Sequence, residues 1–152
     1  MGVVMFYQLT GSTAEQTARV LLARALAQGW RLMIRGTDGA ELKRLDARLW
    51  STPEDSFLPH GMEGGPHDAR QPVLLGTGPV TNGAKGLLLI DGAEVEAAEA
   101  LGLERVWVLF DGRNPDRLSQ ARGQWKQLTD AGLPAQYWSE ESGKWEKKAE
   151  KG

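Results

Sequence analysis

The chain contains no cysteine, which excludes disulfides, thiolate metal sites and a cysteine nucleophile. Histidine is scarce as well. His60 and His67 are the two present, and with no third ligand at metal spacing they argue against a zinc site. No apolar run approaches the roughly 18 residues of a membrane span, and the N-terminus lacks the basic start and small-residue cleavage site of a signal peptide. Neither sign of charge dominates: 18 Lys and Arg stand against 20 Asp and Glu, a formal net charge of −2. Tight, unspecific binding to DNA needs a clustered positive footprint. A nucleic-acid machine would therefore be met through protein contacts, with only a local basic patch left open. The expectation is a soluble cytoplasmic protein with no membrane partner and no cofactor.

What is present is enough for one domain. At 152 residues the chain can bury a core without metal or disulfide staples. Residues 3–9 form an apolar run of strand length. Ser12 with Glu15 predicts a capping box, and Ala14, Ala18, Leu21, Leu22, Ala25 and Leu26 keep a helical period up to Gly29, a natural C′ residue. Residues 30–35 read as a strand. Asp38 with Glu41 repeats the cap before a helix whose Leu42, Leu45 and Leu49 lie on one stripe and which stops at Trp50, Pro53 blocking continuation. Strands follow at 73–76 and 86–90, an Ala/Glu-rich helix at 93–101, and the strongest strand at 106–110, apolar throughout as for a strand covered on both faces. Asn114 and Pro115 cap a helix to 131, closed by Gly132. Residues 135–138 predict an edge strand, and the mixed-charge residues 141–152 a frayed tail. Alternating strands and helices predict an α/β fold. It is a three-layer α/β/α sandwich with a mostly parallel, doubly wound-like sheet, one domain over 1–140 followed by that tail.

Residues 51–71 have no period and many Gly and Pro, a long loop for a domain of this size and so a candidate functional segment. Trp50 and Phe57 flank its start, and exposed apolar anchors on a short irregular segment suit protein binding. Six Trp in the whole chain supply further candidate anchors. In the late helix Leu118, Ala121, Trp125 and Leu128 share a face, with Arg122 and Lys126 on its shoulder. The pattern alone leaves Trp125 open between core and pocket wall. Arg122 beside an amphipathic Trp can take a carboxylate in bidentate fashion.

No reaction assembles from the rest. Residues 78–85 mimic a phosphate loop, but they lack Gly-Lys-Ser/Thr and lead into a strand. Ser12 and Ser56 lack the nucleophile-elbow pattern. Gly11-Ser12 after the first strand could open a nucleotide site in a doubly wound fold, but without the glycine fingerprint. A small nucleotide-binding α/β enzyme or module is therefore the alternative reading.

The segment LDARLW at 45–50 followed by DSFLPH at 55–60 resembles the chi subunit of bacterial DNA polymerase III. The likeness extends to Phe6-Tyr7-Gln8-Leu9, Pro72-Val73-Leu74-Leu75, Asn82-Gly83-Ala84, and Ala121-Arg122 before Trp125-Lys126. The resemblance implies a clamp-loader accessory subunit of the replicative holoenzyme, without its own active site, that meets DNA only indirectly. It implies that Trp50, Arg122, Trp125 and Lys126 hold the acidic C-terminal tail of single-stranded DNA-binding protein, Trp125 standing where Tyr is frequent. It also implies that Phe57 binds a psi subunit or a competing helicase-like partner. Pro59-His60 belongs to the family pattern, although backbone hydrogen bonding explains a loop histidine equally well. The version GMEGGPHDAR at 61–70 departs from that pattern in detail.

Overall fold

The computed structural model describes residues 2–50, 61–64 and 71–152, the side chains of Leu49 and Trp50 excepted. The chain order is β1 (Val3–Leu9), α1 (Ala14–Ala27), β2 (Leu32–Arg35), α2 (Gly39–Trp50), β3 (Gly61–Met62), β4 (Val73–Gly76), β5 (Gly86–Leu89), α3 (Ala97–Leu101), β6 (Arg105–Asp111), α4 (Pro115–Asp130), β7 (Ala135–Ser139) and β8 (Glu146–Lys151). The strands form one sheet in the order β3-β4-β2-β5-β6-β1-β7-β8. Every pairing is parallel except that of β7 with β8. The α/β sandwich expected from the alternation of elements is what forms.

Period-2 alternation divides the core into two layers. Met5, Leu32, Ile34, Val73, Leu75, Leu88, Trp107 and Leu109 face one side, where Leu21 and Leu22 of α1 and Leu42 and Leu45 of α2 cover them. Val4, Phe6, Met33, Leu87, Leu89, Val106, Val108 and Phe110 face the other, under Ala100 of α3 and Ala121 and Leu128 of α4. Burying both faces is why β2, β4 and β5 carry no exposed residue. Gly86 is required by this packing, since a Cβ there would lie 2.5 Å from Leu32 Cδ2 and 2.6 Å from Trp107 Cζ3.

Local signals placed most elements, with three corrections. The α1 capping box is Thr13 with Gln16, not Ser12 with Glu15. The Ser12 amide and hydroxyl are both held by Glu140, which keeps the chain extended for one residue more. The helix expected over 93–101 is only α3. Its first turn is lost because the Val95 amide donates to Gln124 Oε1 and the Glu94 carbonyl accepts from Arg35 Nη1. Finally, β7 is not an edge and the last residues are not a frayed tail. After a turn at Gly143, β8 pairs antiparallel with β7. Five of its six residues are exposed, so backbone pairing rather than burial orders it. Within the residue range 51–71, the described fragment β3 adds a short parallel strand beside β4.

Two polar anchors fix the sheet, Asn82 at the amino ends of β2 and β4 and Arg35 at the carboxyl end of β2. Asn82, almost fully buried, donates through Nδ2 to the carbonyls of Leu32 and Gln71. Arg35, whose side chain is 10% exposed, forms a fork with Glu99 at 2.8 and 2.6 Å and also donates to the carbonyls of Gly78 and Glu94. Hydrogen bonding to Arg35 holds the Glu99 carboxyl below its ordinary pKa, with burial opposing. A carboxylate depressed on folding contributes its full stability above the unfolded pKa of about 4.3 and loses it as pH falls through the folded value. Glu99→Gln should therefore cost about 1–2 kcal/mol at neutral pH, less than a fully buried pair because the Glu99 side chain is partly solvated. The variant should also lose less further stability than wild type on acidification below about pH 4. Urea unfolding at neutral and acid pH measures both.

Candidate functional site

α4 begins where the sequence signals say it should. Asn114 Oδ1 accepts from the amides of Asp116 and Arg117 at 3.0 and 3.3 Å, and Pro115 fills the first helical position, which needs no amide. Ala121, Gln124, Leu128 and Thr129 are buried. Trp125 sits between these and solvent, half-buried. Its ring lies 5.5 Å from Phe6, tilted by 59°, and 6.2 Å edge-on from Tyr137. The choice left open by the helical pattern thus has a double answer: one side of the indole is core wall and the other is surface.

Arg122 and Lys126 are exposed and stand one turn apart on the same shoulder of α4, beside Trp125. Neither side chain makes an ion pair or hydrogen bond among the described residues. Tyr137 completes the surface and was not singled out by sequence reasoning. Its hydroxyl donates to Gln8 Oε1 at 2.5 Å, and its ring stacks on Phe6 at 6.4 Å. Burial raises its pKa, the Arg122 charge pulls it back, and Glu141 adds to the rise. Arg122 is therefore close enough for its charge to act on the phenol. The one sequence signal for Tyr137 was its place in an apolar strand beside a partner whose position could not be read.

Trp50 does not join this group. It ends α2, whose Leu42 and Leu45 pack on the opposite face of the sheet from Ala121, Trp125 and Leu128. The structure brings together Arg122, Trp125 and Lys126 and separates Trp50 from them. Phe57, His60 and His67 lie outside the described residues.

The sites weighed for nucleotide chemistry have other occupants. Residues 78–85 lead into β5 rather than a helix, the Gly78 carbonyl accepts from Arg35, and Asn82 is the strand anchor already described. At the carboxyl ends of β1 and β6, where a doubly wound sheet places its ligands, lies a polar cavity of about 460 Å³ bordered by Thr10, Ser12, Asp111, Arg113 and Arg117. The amides of the adjacent loop already hold an anion from within the chain. Glu140 Oε2 accepts from the amides of Thr10, Gly11 and Ser12 at 3.0, 3.2 and 2.8 Å, and Oε1 from the Ser12 hydroxyl at 2.8 Å. Burial works to raise the Glu140 pKa, but these donors together outweigh it and hold the carboxyl below its ordinary value. Among the described residues no group of three or more His, Asp or Glu is placed to hold a metal ion. No described helix is long and apolar enough to cross a membrane.

Comparison with known proteins identifies the family. The family described as "DNA polymerase III chi subunit, HolC" matches residues 1–136. The chain belongs to this family. A curated relative, the DNA polymerase III subunit chi of Pseudomonas aeruginosa, is 34% identical over 82 residues, covering 51% of this chain and 56% of the relative. The aligned part of the chain thus spans about half the length of that relative. The family match ends before Tyr137 and Trp138 and takes in the whole of α4.

Because Trp125 bridges core and surface while its cationic neighbours do not, the three should separate by stability. Trp125→Ala should cost about 2–4 kcal/mol through lost packing on Phe6 and Tyr137. Arg122→Ala and Lys126→Ala should stay within about 0.5 kcal/mol of wild type. Denaturant melts of the three variants check this. A large loss from Arg122→Ala would mean that this residue belongs to the fold.

Proposed function

We propose that this chi-family chain is a non-catalytic accessory subunit of the replicative polymerase, linking the clamp loader to single-stranded DNA-binding protein by capturing its acidic C-terminal tail on the outer face of α4. The observation that carries the reading is the pair of exposed cations, Arg122 and Lys126, without ion-pair partners among the described residues, on the helix shoulder beside the open side of Trp125. A tail ending in an apolar residue with a free carboxylate needs an apolar wall for its side chain and a guanidinium for its terminus. Trp125 with Tyr137 supplies the first and Arg122 the second. Lys126, one turn along, suits the acidic residues that precede the tip.

The family resemblance assigned Trp50 to the same site. Since α2 lies on the other layer, we assign Trp50 instead to a second protein-binding surface with Phe57, seven residues along the chain. Its partner is a psi subunit or a helicase-like protein. Phe57→Ala should weaken that partner and leave tail affinity nearly unchanged. Pull-down of the second partner alongside tail titration tests the separation, and loss of both interactions would refute it.

The tail site is tested by a cycle of two changes. Arg122→Ala should weaken a tail peptide by roughly 1.5–3 kcal/mol, the worth of a charge-assisted hydrogen bond. Amidating the peptide terminus should cost wild type about the same and the variant little, because both changes remove one contact. Added salt should weaken the wild-type complex more than the variant's. Titration calorimetry on the four combinations measures all of this. Additive losses would show that Arg122 does not meet the carboxylate.

A further inference from the structure

On the sheet face opposite α4, α1 does not reach the end of the sheet. Between it and the β7–β8 hairpin runs a groove of about 710 Å³, whose walls include Tyr7, Val20, Arg24, Trp138 and Trp145. We propose that this groove is a stacking site for the bases of single-stranded nucleic acid, a direct contact beyond the protein-mediated role above.

Tyr7 and Trp138 pack on the core with one side and line the groove with the other. Trp145 is 37% exposed and meets Tyr7 edge-on, with ring centroids 5.3 Å apart and an interplanar angle of 79°. Trp138 is half-buried, and its indole N–H already donates to Gln136 Oε1 at 3.0 Å. What Trp138 offers the groove is therefore its ring and not a donor. Val20, 49% exposed on α1, adds an apolar flank. Base–aromatic stacking is sequence-tolerant because every base has a π-face.

The charge around the groove fits a phosphate backbone. Among the described residues no carboxylate lines it. Arg24 lines it, is exposed, and has no ion pair among the described residues. Arg105 adds a second positive charge close enough to act with Arg24 on the Tyr7 hydroxyl, against the burial that raises its pKa. Arg105 Nε is itself buried without a hydrogen-bond partner. The nearby Glu140 carboxylate is turned into the loop amides. In the hairpin, Lys147 and Lys148 are paired with Glu150 and Glu146, while Lys144, next to Trp145, has no ion pair among the described residues. An acidic peptide would share the charge preference. A peptide adding itself as a strand could not pair with β7, which is paired on both sides, and would take the outer edge of β8 instead. Trp138 and Trp145 lie beyond residues 1–136 matched by the family, while Tyr7, Val20 and Arg24 lie within them.

The test uses the full chain and a fluorescein-labelled oligothymidylate of about 12 nucleotides, within the site sizes of single-strand binders. Anisotropy is read at low salt and then across a salt series. Weak saturable binding is expected, with a logarithmic salt slope of about −0.7 to −1.4, the signature of one or two phosphates. Trp145→Ala should weaken binding roughly tenfold, the loss of one stacked base, and Trp145→Phe should restore most of it. Arg24→Ala, on an exposed helix position, should flatten the salt slope by about 0.7. Arg122→Ala on the opposite face should change nothing, while it still weakens the tail peptide, so failure of one proposal is distinguishable from failure of the other. Absence of binding at low salt would overturn the proposal. So would binding indifferent to Trp145→Ala and Arg24→Ala, or an acidic Trp-containing peptide that binds the groove where the oligonucleotide does not.

Discussion

The alternation of side chains along β1 governs the rest of the molecule. This strand pairs in parallel with β6 on one side and β7 on the other, so it has no free edge and both its faces are covered. Val4 and Phe6 go to the layer of α3 and α4, while Met5 and Leu9 go to the layer of α1 and α2. A slip of one residue would exchange the two sets and dismantle both cores at once. Each candidate surface inherits its position from this rule. Trp125 rests on Phe6, an even position, and Trp145 meets Tyr7, an odd one. The two sites are thus held on opposite faces of the sheet.

That sidedness separates what was legible in the sequence from what was not. Apolar runs marked β4 and β6, and Asn114-Pro115 marked the start of α4, because these signals are local and tertiary contacts do not oppose them. The start of α1 was misplaced by one residue because the competing acceptor, Glu140, lies 128 residues from Ser12. The front of the helix expected over 93–101 was lost for a similar reason, its backbone groups being taken by Arg35 and Gln124. Composition hides β8 altogether: EKKAEK has no apolar face, and its order comes from backbone pairing with β7. Within the candidate site, Arg122, Trp125 and Lys126 were legible as one helical surface. The grouping with Trp50 was not, since no spacing along a chain reveals which face of a sheet a helix will cover.

Glu140 links the nucleotide reading to the groove. In a doubly wound fold the loop after β1 is a ready anion site, with amides converging near a helix N-terminus. Here the chain supplies the anion itself. An external phosphate would have to compete with a tethered carboxylate whose effective concentration is on the order of millimolar or higher, and which accepts four hydrogen bonds in place. The same contact sets the shape of the opposite surface. Glu140 directly follows β7, and the loop it binds directly precedes α1, so this carboxylate fixes the spacing between the floor and the helical wall of the aromatic groove. A fold that elsewhere spends this loop on a phosphate instead uses it to hold two surface elements apart. That is a structural use of an anion site.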